Sequence, residues 1–207
     1  MKKINILCIC MMLMMTLTPL VACGEVVNDL EKKDVKFDVR PLFLFQHLNP
    51  LWQIYFKHLD IVSFSIYEDS DNPGFLYVKM NIRDFEYSER LSVYAIYWTY
   101  ECTCYYAVTS THTGGEALSI NAGYFDVSGT AHCTPINGDI NEEDSTLTWI
   151  VPKDIIGNPE VGDELTEIHA NTFLILQKDC GTKFPIYLAK DIARPLIKAG
   201  YTYTAQY

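Results

Sequence analysis

The stretch Asp60–Arg83, DIVSFSIYEDSDNPGFLYVKMNIR, decides the fold. In its first half Val62, Phe64 and Ile66 alternate with Ser63, Ser65 and Tyr67. In its second half Leu76, Val78, Met80 and Ile82 alternate with Tyr77, Lys79, Asn81 and Arg83. Side chains of a strand point to opposite faces in turn, so each half predicts a strand with one apolar and one polar face. Between them Glu68–Gly74 (EDSDNPG) is dense in turn formers and predicts a loop.

The same pattern continues downstream. Leu91–Tyr100 is apolar on both faces, as expected of a central strand covered on both sides or of one displaying an aromatic row. Glu101-Cys102-Thr103 links it tightly to Cys104–Thr109. Strands are expected near Ala122–Val127, Thr130–Cys133, Thr146–Val151, Leu165–Leu176 and Tyr201–Ala205. Asn137–Asp144 (NGDINEED) reads as a polar loop. Asp191 is placed to cap a short helix, Ile192–Ala199, with Gly200 just past its end. Upstream, Phe37–His58 carries two short apolar pieces broken by Pro41 and Pro50. No long amphipathic helix separates the strands, which excludes a parallel α/β sheet. About eight or nine short strands with frequent turns predict an all-β fold, an antiparallel β-sandwich or jelly roll with one short C-terminal helix.

Of the 207 residues, 49% are hydrophobic and 20% charged, which excludes a disordered chain. A net charge of -10 repels phosphate backbones, so nucleic acid is not an expected partner. Lys2 and Lys3 precede an almost unbroken apolar run, Ile4–Leu20, and small residues follow: the order of a secretory signal peptide. Leu20-Val21-Ala22-Cys23, followed by Gly24, resembles a prokaryotic lipobox. The resemblance implies that Cys23 receives diacylglycerol and becomes the mature N-terminus. Two alternatives are simple cleavage near Ala22 and an uncleaved anchor, since Ile4–Cys23 is long enough to span a bilayer. All three place the rest outside the cytoplasm, as an anchored lipoprotein or a secreted protein. The expected organisation is a signal peptide at 1–22, a polar tether at 23–36 and one domain at 37–207. Residues 1–22 hold two Lys and no acid, so the mature chain has 14 basic and 26 acidic groups, net -12.

The segments LDIVSFSIYED (59–69), LYVKMNIRDF (76–85), VYAIYWTY (93–100), CYYA (104–107), STLTWIVPKDIIGNP (145–159) and GDELTEIHANTF (162–173) together resemble an extracellular class of β-sandwich modules. These are the DOMON-like, carbohydrate-binding-type accessory domains of secreted prokaryotic proteins, such as those beside subtilisin-like peptidases. The most specific piece is Val151-Pro152-Lys153 with Ile156-Gly157-Asn158-Pro159 and Gly162. The resemblance implies a sandwich at the cell surface and no reaction. Cys102 departs from it, standing in a turn where the class has Gly or a polar residue.

Candidate sites are few. Outside the cytoplasm Cys102, Cys104, Cys133 and Cys180 are candidate disulfide formers, and the preferred pairing joins Cys102 or Cys104 to Cys133. The alternative is a metal or redox site from Cys102, Cys104, His132 and Cys133, soft ligands for Zn or Cu at no standard zinc spacing. Asp69 and Asp71 in one segment, and Asn137, Asp139 and Asn141 in another, are the oxygen donors a Ca2+ ion takes, but equally the caps of solvated turns. No other cofactor is expected. Tyr94, Trp98, Tyr100 and Tyr106 crowd a few residues and form either a ligand-binding aromatic strip or sheet–sheet core. His47, His58, His112, His132 and His169 sit in neither an HExxH nor a GxSxG context, and the chain is not expected to be an enzyme. The leading expectation is a non-catalytic ligand-binding module at the cell surface or secreted, carbohydrate favoured. The alternative is a structural or adhesion lipoprotein that meets another envelope protein. Membrane attachment is expected through the lipid anchor only.

Overall fold

The computed structural model describes residues 57–84, 91–111, 119–176 and 200–207, together with the strands at 26–27, 30–33, 40–41 and 186–193. Residues 1–22, expected as a signal peptide, and Cys23, His47, His112 and Cys180 lie outside the described residues. In chain order the strands are β1 (Val26–Val27), β2 (Leu30–Lys33), β3 (Arg40–Pro41), β4 (Ile61–Glu68), β5 (Phe75–Ile82), β6 (Leu91–Tyr100) and β7 (Thr103–Thr111). They continue with β8 (Ser119–Phe125), β9 (Ala131–Pro135), β10 (Asn137–Asn141), β11 (Thr146–Pro152), β12 (Glu164–Leu176), β13 (Ile186–Ala193) and β14 (Tyr201–Thr204). Short 3-10 turns occupy Lys57–Leu59 and Lys153–Ile156.

Two sheets face each other. The larger runs β1-β14-β12-β6-β7-β8-β9, with β13 added to β12 and β3 to β13. The smaller runs β10-β11-β5-β4-β2. Pairing is antiparallel except for β1 on β14. The expected antiparallel β-sandwich is therefore what forms.

The apolar faces of both sheets meet in one core. Phe64, Ile66, Leu76, Val78 and Met80 of the small sheet meet Tyr94, Ile96, Trp98, Ala107 and Ala170 of the large one. Each fully buried large apolar side chain contributes about 1.5–3 kcal/mol. Trp149 and Trp98 are wholly buried, and the Trp149 Nε1–H donates to Thr109 Oγ1 at 2.9 Å across the gap. A second buried cluster covers the opposite face of the large sheet: Val93, Ala95, Tyr97, Tyr106, Val108, Phe125 and Phe173. This is why β6 is apolar on both faces.

Four local expectations are corrected. First, β4 carries a bulge between Ile61 and Ser63, so Ile61, not Val62, joins Phe64 and Ile66 in the core. Second, Asn137–Asn141 is a strand, not a loop: β10 pairs with β11 from Asn137↔Ile150 to Asn141↔Thr146, and Ile140 packs against the core. As an edge strand it needs few apolar residues. Third, Asp191, Ile192 and Ala193 belong to β13, where Ile192 pairs with Asn171. The buried Asp191 carboxylate accepts from the Ile61 N–H at 2.8 Å, so it serves the start of β4 instead of a helix; 194–199 lie outside the described residues. Gly200 is needed for another reason. A Cβ there would lie 2.1 Å from the backbone of Glu167, which bulges from β12 with φ 54°. Fourth, the stretch expected as a tether supplies β1 and β2, which occupy the open edges of β14 and β4. Unpaired edge backbone is a template for such additions.

Thr109→Val leaves the Trp149 N–H buried with no acceptor. Urea unfolding is expected to show a loss of about 1–3 kcal/mol with an unchanged slope. Adding Trp149→Phe should recover part of the loss that Thr109→Val causes; full additivity of the two changes would contradict the bond.

Candidate functional site

Of the two readings of the aromatic cluster, sheet–sheet core is the one that forms. Tyr94, Trp98 and Tyr106 are 0% exposed and Tyr100 is 8% exposed. Tyr94, Trp98 and Tyr100 point between the sheets, whereas Tyr106 lies in the opposite cluster and its hydroxyl donates to the His132 carbonyl at 2.8 Å. Burial raises the Tyr94 phenol far above its ordinary value.

None of Cys102, Cys104 and Cys133 is joined in a disulfide. For Cys104 and Cys133 the preferred pairing fails on topology. Cys104 pairs with Phe125 of β8 and Cys133 with Gly123 of β8, so a whole strand separates them. Two strand spacings are about 9–10 Å, beyond the roughly 7 Å a disulfide spans. His132 and Cys133 are neighbours on one strand and point to opposite faces. Burial first, and then the Glu167 carboxylate, push the Cys104 thiol up to about 12, so at neutral pH it is not a nucleophilic thiolate. Among the described residues no group of three or more His, Cys, Asp or Glu is arranged to hold a metal ion.

The oxygen donors considered for calcium serve turns or strands. Asp69 accepts from the Asp71 N–H at 2.9 Å and the Asn72 side-chain amide at 3.1 Å. Asn141 exchanges bonds with Asp144, the amide donating at 2.8 Å and the Asp144 N–H at 3.1 Å. Asn137 and Asp139 lie on β10 beside Ile150 and Thr148. The bonds to Asp69 shape the β4–β5 loop, and that loop sets the register bringing Tyr67 opposite Tyr77.

This register builds the surface on which a ligand can dock. On the outward face of the small sheet, Asn137, Ile150, Tyr77 and Tyr67 form one row across four strands. Asp139, Thr148, Lys79 and Ser65 form the next, and Asn141, Thr146, Asn81 and Ser63 a third. The Tyr67 and Tyr77 rings stack at 5.3 Å with 11° between planes, and Tyr67 is 36% exposed. Partial burial, and then the neighbouring Tyr77 and Asp69, raise the Tyr67 phenol above its ordinary value. Asn81 donates to Ser63 Oγ at 2.6 Å, fixing one amide within the polar rows. The face thus joins an aromatic pair to amide, hydroxyl and ammonium groups. Neither tyrosine was among the sequence candidates. The signal that finds them is an aromatic residue on the polar face of each of two strands joined by a short loop.

A smaller aromatic row emerges at the far edge of the large sheet. Trp98 stacks near Tyr105, Tyr105 tilts against Tyr124, and Tyr124 stacks on His132 at 4.7 Å. Asp126 binds His132 Nε2 at 3.0 Å and accepts from Ser128 and Thr130. The Ser128 hydroxyl, then His132, then the Thr130 N–H hold the Asp126 carboxyl well below the usual range.

One end of the sandwich is clamped. Lys153, 4% exposed, donates to Glu68 Oε2 at 3.0 Å and to the Tyr207 carbonyl. Glu68 Oε2 also accepts from the Gln206 and Tyr207 N–H groups. A shallow cleft of about 420 Å3 beside Lys153 is lined by Pro73, Asn158, Pro159, Val161 and Tyr207. Gly157, at φ 88°, lies under Tyr100 and Tyr105, and a Cβ there would be 2.8 Å from the Tyr105 hydroxyl.

No family model matches the chain, and neither the curated proteins nor the solved structures contain a match.

Lys153→Met leaves the Glu68 charge buried without its cation. A loss of about 3–5 kcal/mol is expected in urea unfolding, and a loss below about 1 kcal/mol would contradict the buried pair. A second expectation concerns Tyr100, whose hydroxyl donates to Asp163 Oδ2 at 2.7 Å. That bond pushes the Tyr100 phenol up to about 12 and holds the Asp163 carboxyl below its ordinary value. Its stabilisation is present below the ordinary tyrosine value and is lost as pH rises through about 12. On the acid side it is lost as Asp163 protonates. In a tyrosine ζ-carbon NMR titration, Asp163→Asn should move one high-pH titration back toward the ordinary value; an unchanged set of titrations would refute the coupling.

Proposed function

We propose that the chain is a non-catalytic ligand-binding module outside the cytoplasm, and that its ligand is a glycan docked on the outward face of the small sheet. The observation that carries this is the stacked Tyr67–Tyr77 pair, with Tyr67 36% exposed, in rows shared with or next to Asn137, Thr148 and Lys79. Sugars present apolar C–H patches and rings of hydroxyls. An aromatic pair beside fixed amides and hydroxyls meets both demands. A net charge of -12 on the mature chain disfavours polyanions, so a neutral glycan fits best. The resemblance to DOMON-like modules supports the same reading. The Leu20-Val21-Ala22-Cys23 sequence supports attachment to the membrane through a lipid on Cys23.

One observation favours a second reading, an adhesion or assembly module without a small ligand. The strip Tyr94, Trp98, Tyr100 and Tyr106 is consumed by the core, and the candidate surface is the outward face of a sheet. Flat faces with central aromatics also suit protein partners.

A glycan array and polysaccharide pull-down with the mature chain separate the two. Binding to at least one neutral glycan is expected. Tyr67→Ala and Tyr77→Ala should each weaken it about tenfold, equivalent to about 1.4 kcal/mol, without lowering the melting temperature appreciably. Silence across plant, bacterial and host glycans would sink the glycan reading, and full binding by the double alanine variant would remove the site from this face.

A further inference from the structure

We infer that the glycan selected by the outward face of the small sheet carries N-acetyl groups, and that Ile150 and Asn137 read the acetamido arm. This deepens the glycan reading and rests on it.

Along β11 the outward positions are Thr146, Thr148, Ile150 and Pro152, all half-buried. The first two are polar, as the solvent side of a strand usually is. The last two are apolar. Their partners on β5, in the same order, are Asn81, Lys79, Tyr77 and Phe75. The face therefore changes character along its strands. Phe75, Pro152, Tyr77, Ile150 and Tyr67 form an apolar half beside the β4–β5 loop, and hydroxyls, an amide and Lys79 form the other half.

The core does not account for Ile150, which packs with neither buried cluster. A β-branched residue opposite an aromatic ring does support a sheet. Thr, used at the two other outward positions before it, would do so as well. What Ile150 adds is apolar surface next to Tyr77. Across the strands the row reads Tyr67, Tyr77, Ile150, Asn137: two rings, an aliphatic side chain, then an exposed carboxamide. Three strand spacings of about 4.8 Å make this row about 14 Å long.

A plain hexose offers C–H faces and hydroxyls. These match the rings and the polar half of the face, but such a sugar has no methyl group to set on Ile150. An acetamido sugar carries a methyl and an amide together on one arm, which extends from the ring by roughly one strand spacing, about 4.8 Å. With the sugar ring at Tyr77, the methyl meets Ile150 and the amide faces Asn137, whose carboxamide both donates and accepts. Charge agrees with a neutral sugar, since the Lys79 ammonium shares its row with the Asp139 carboxylate.

The test is isothermal titration of the mature chain with two neutral trisaccharides of the same linkage, tri-N-acetylchitotriose and cellotriose, which differ in the acetamido groups. The acetylated sugar is expected to bind at least about tenfold more tightly, the combined effect of one covered methyl and one hydrogen bond. Ile150→Thr keeps the branching that strands favour. It should remove most of the preference and leave cellotriose binding unchanged. Asn137→Ala, at an exposed position of an edge strand, should act in the same direction without disturbing the core. Tyr67→Ala should weaken both sugars. Equal affinity for the two trisaccharides, or an undiminished preference in both the Ile150 and Asn137 variants, would overturn the acetamido assignment and leave the glycan face standing. Binding confined to array glycans without N-acetyl groups would count against it in the same way. Failure of both trisaccharides, together with silence across the array, would overturn the glycan reading and this assignment with it.

Discussion

Two indole rings, Trp98 on the large sheet and Trp149 on the small one, fill the space between the sheets with no exposure. Trp149 is held by a single directed bond to Thr109. A hydrophobic interior tolerates sliding, whereas a buried N–H with one acceptor does not. That bond ties β11 to β7. Through the ladders β11–β5–β4 and β7–β6–β12 it fixes how the two sheets sit on each other. The outward rows of the small sheet inherit their positions from this register.

The same core decides which aromatic residues are left for a ligand. β6 is central and covered on both faces, so Tyr94, Trp98 and Tyr100 go to one cluster and Tyr97 to the other. β4 and β5 give their apolar faces to that core, and on the other face Tyr67 is 36% exposed. Buried charge holds the ends. Glu68 and Lys153 tie the end of β4 to the chain after β14, and Asp191 receives the first N–H of β4. A buried pair of this kind contributes less to net stability than to fixing one arrangement. Here the arrangement is the closed end of the sandwich beside the Tyr67–Tyr77 face.

Much of this was legible in the chain. Period-2 alternation located β4 and β5, an apolar run on both faces located β6, and EDSDNPG located the loop between β4 and β5. What escaped has local physical causes. A bulge at Ile61–Ser63 shifts the alternation by one residue. The edge strands β1, β2 and β10 are built by backbone pairing and carry little apolar signal. Asp191 looks like a helix cap because a cap and a strand-start acceptor need the same carboxylate. The cysteines cannot be paired on sequence separation alone, because β8 intervenes in space. The candidate site was missed for an instructive reason. Local density of aromatic residues marks the interior of a doubly covered strand, while an aromatic on the polar side of an alternating strand marks its surface. Tyr67 and Tyr77 carried that second signal.

Everything proposed about ligand binding depends on this partition of the aromatic residues. Hydroxyl-radical footprinting with mass spectrometry measures it directly on the mature chain. Tyr67 and Tyr124 are expected to be oxidised early, and Tyr94, Trp98, Tyr106 and Trp149 to stay protected until the protein unfolds. Early oxidation of Trp98 and Tyr94 with protection of Tyr67 would contradict the account.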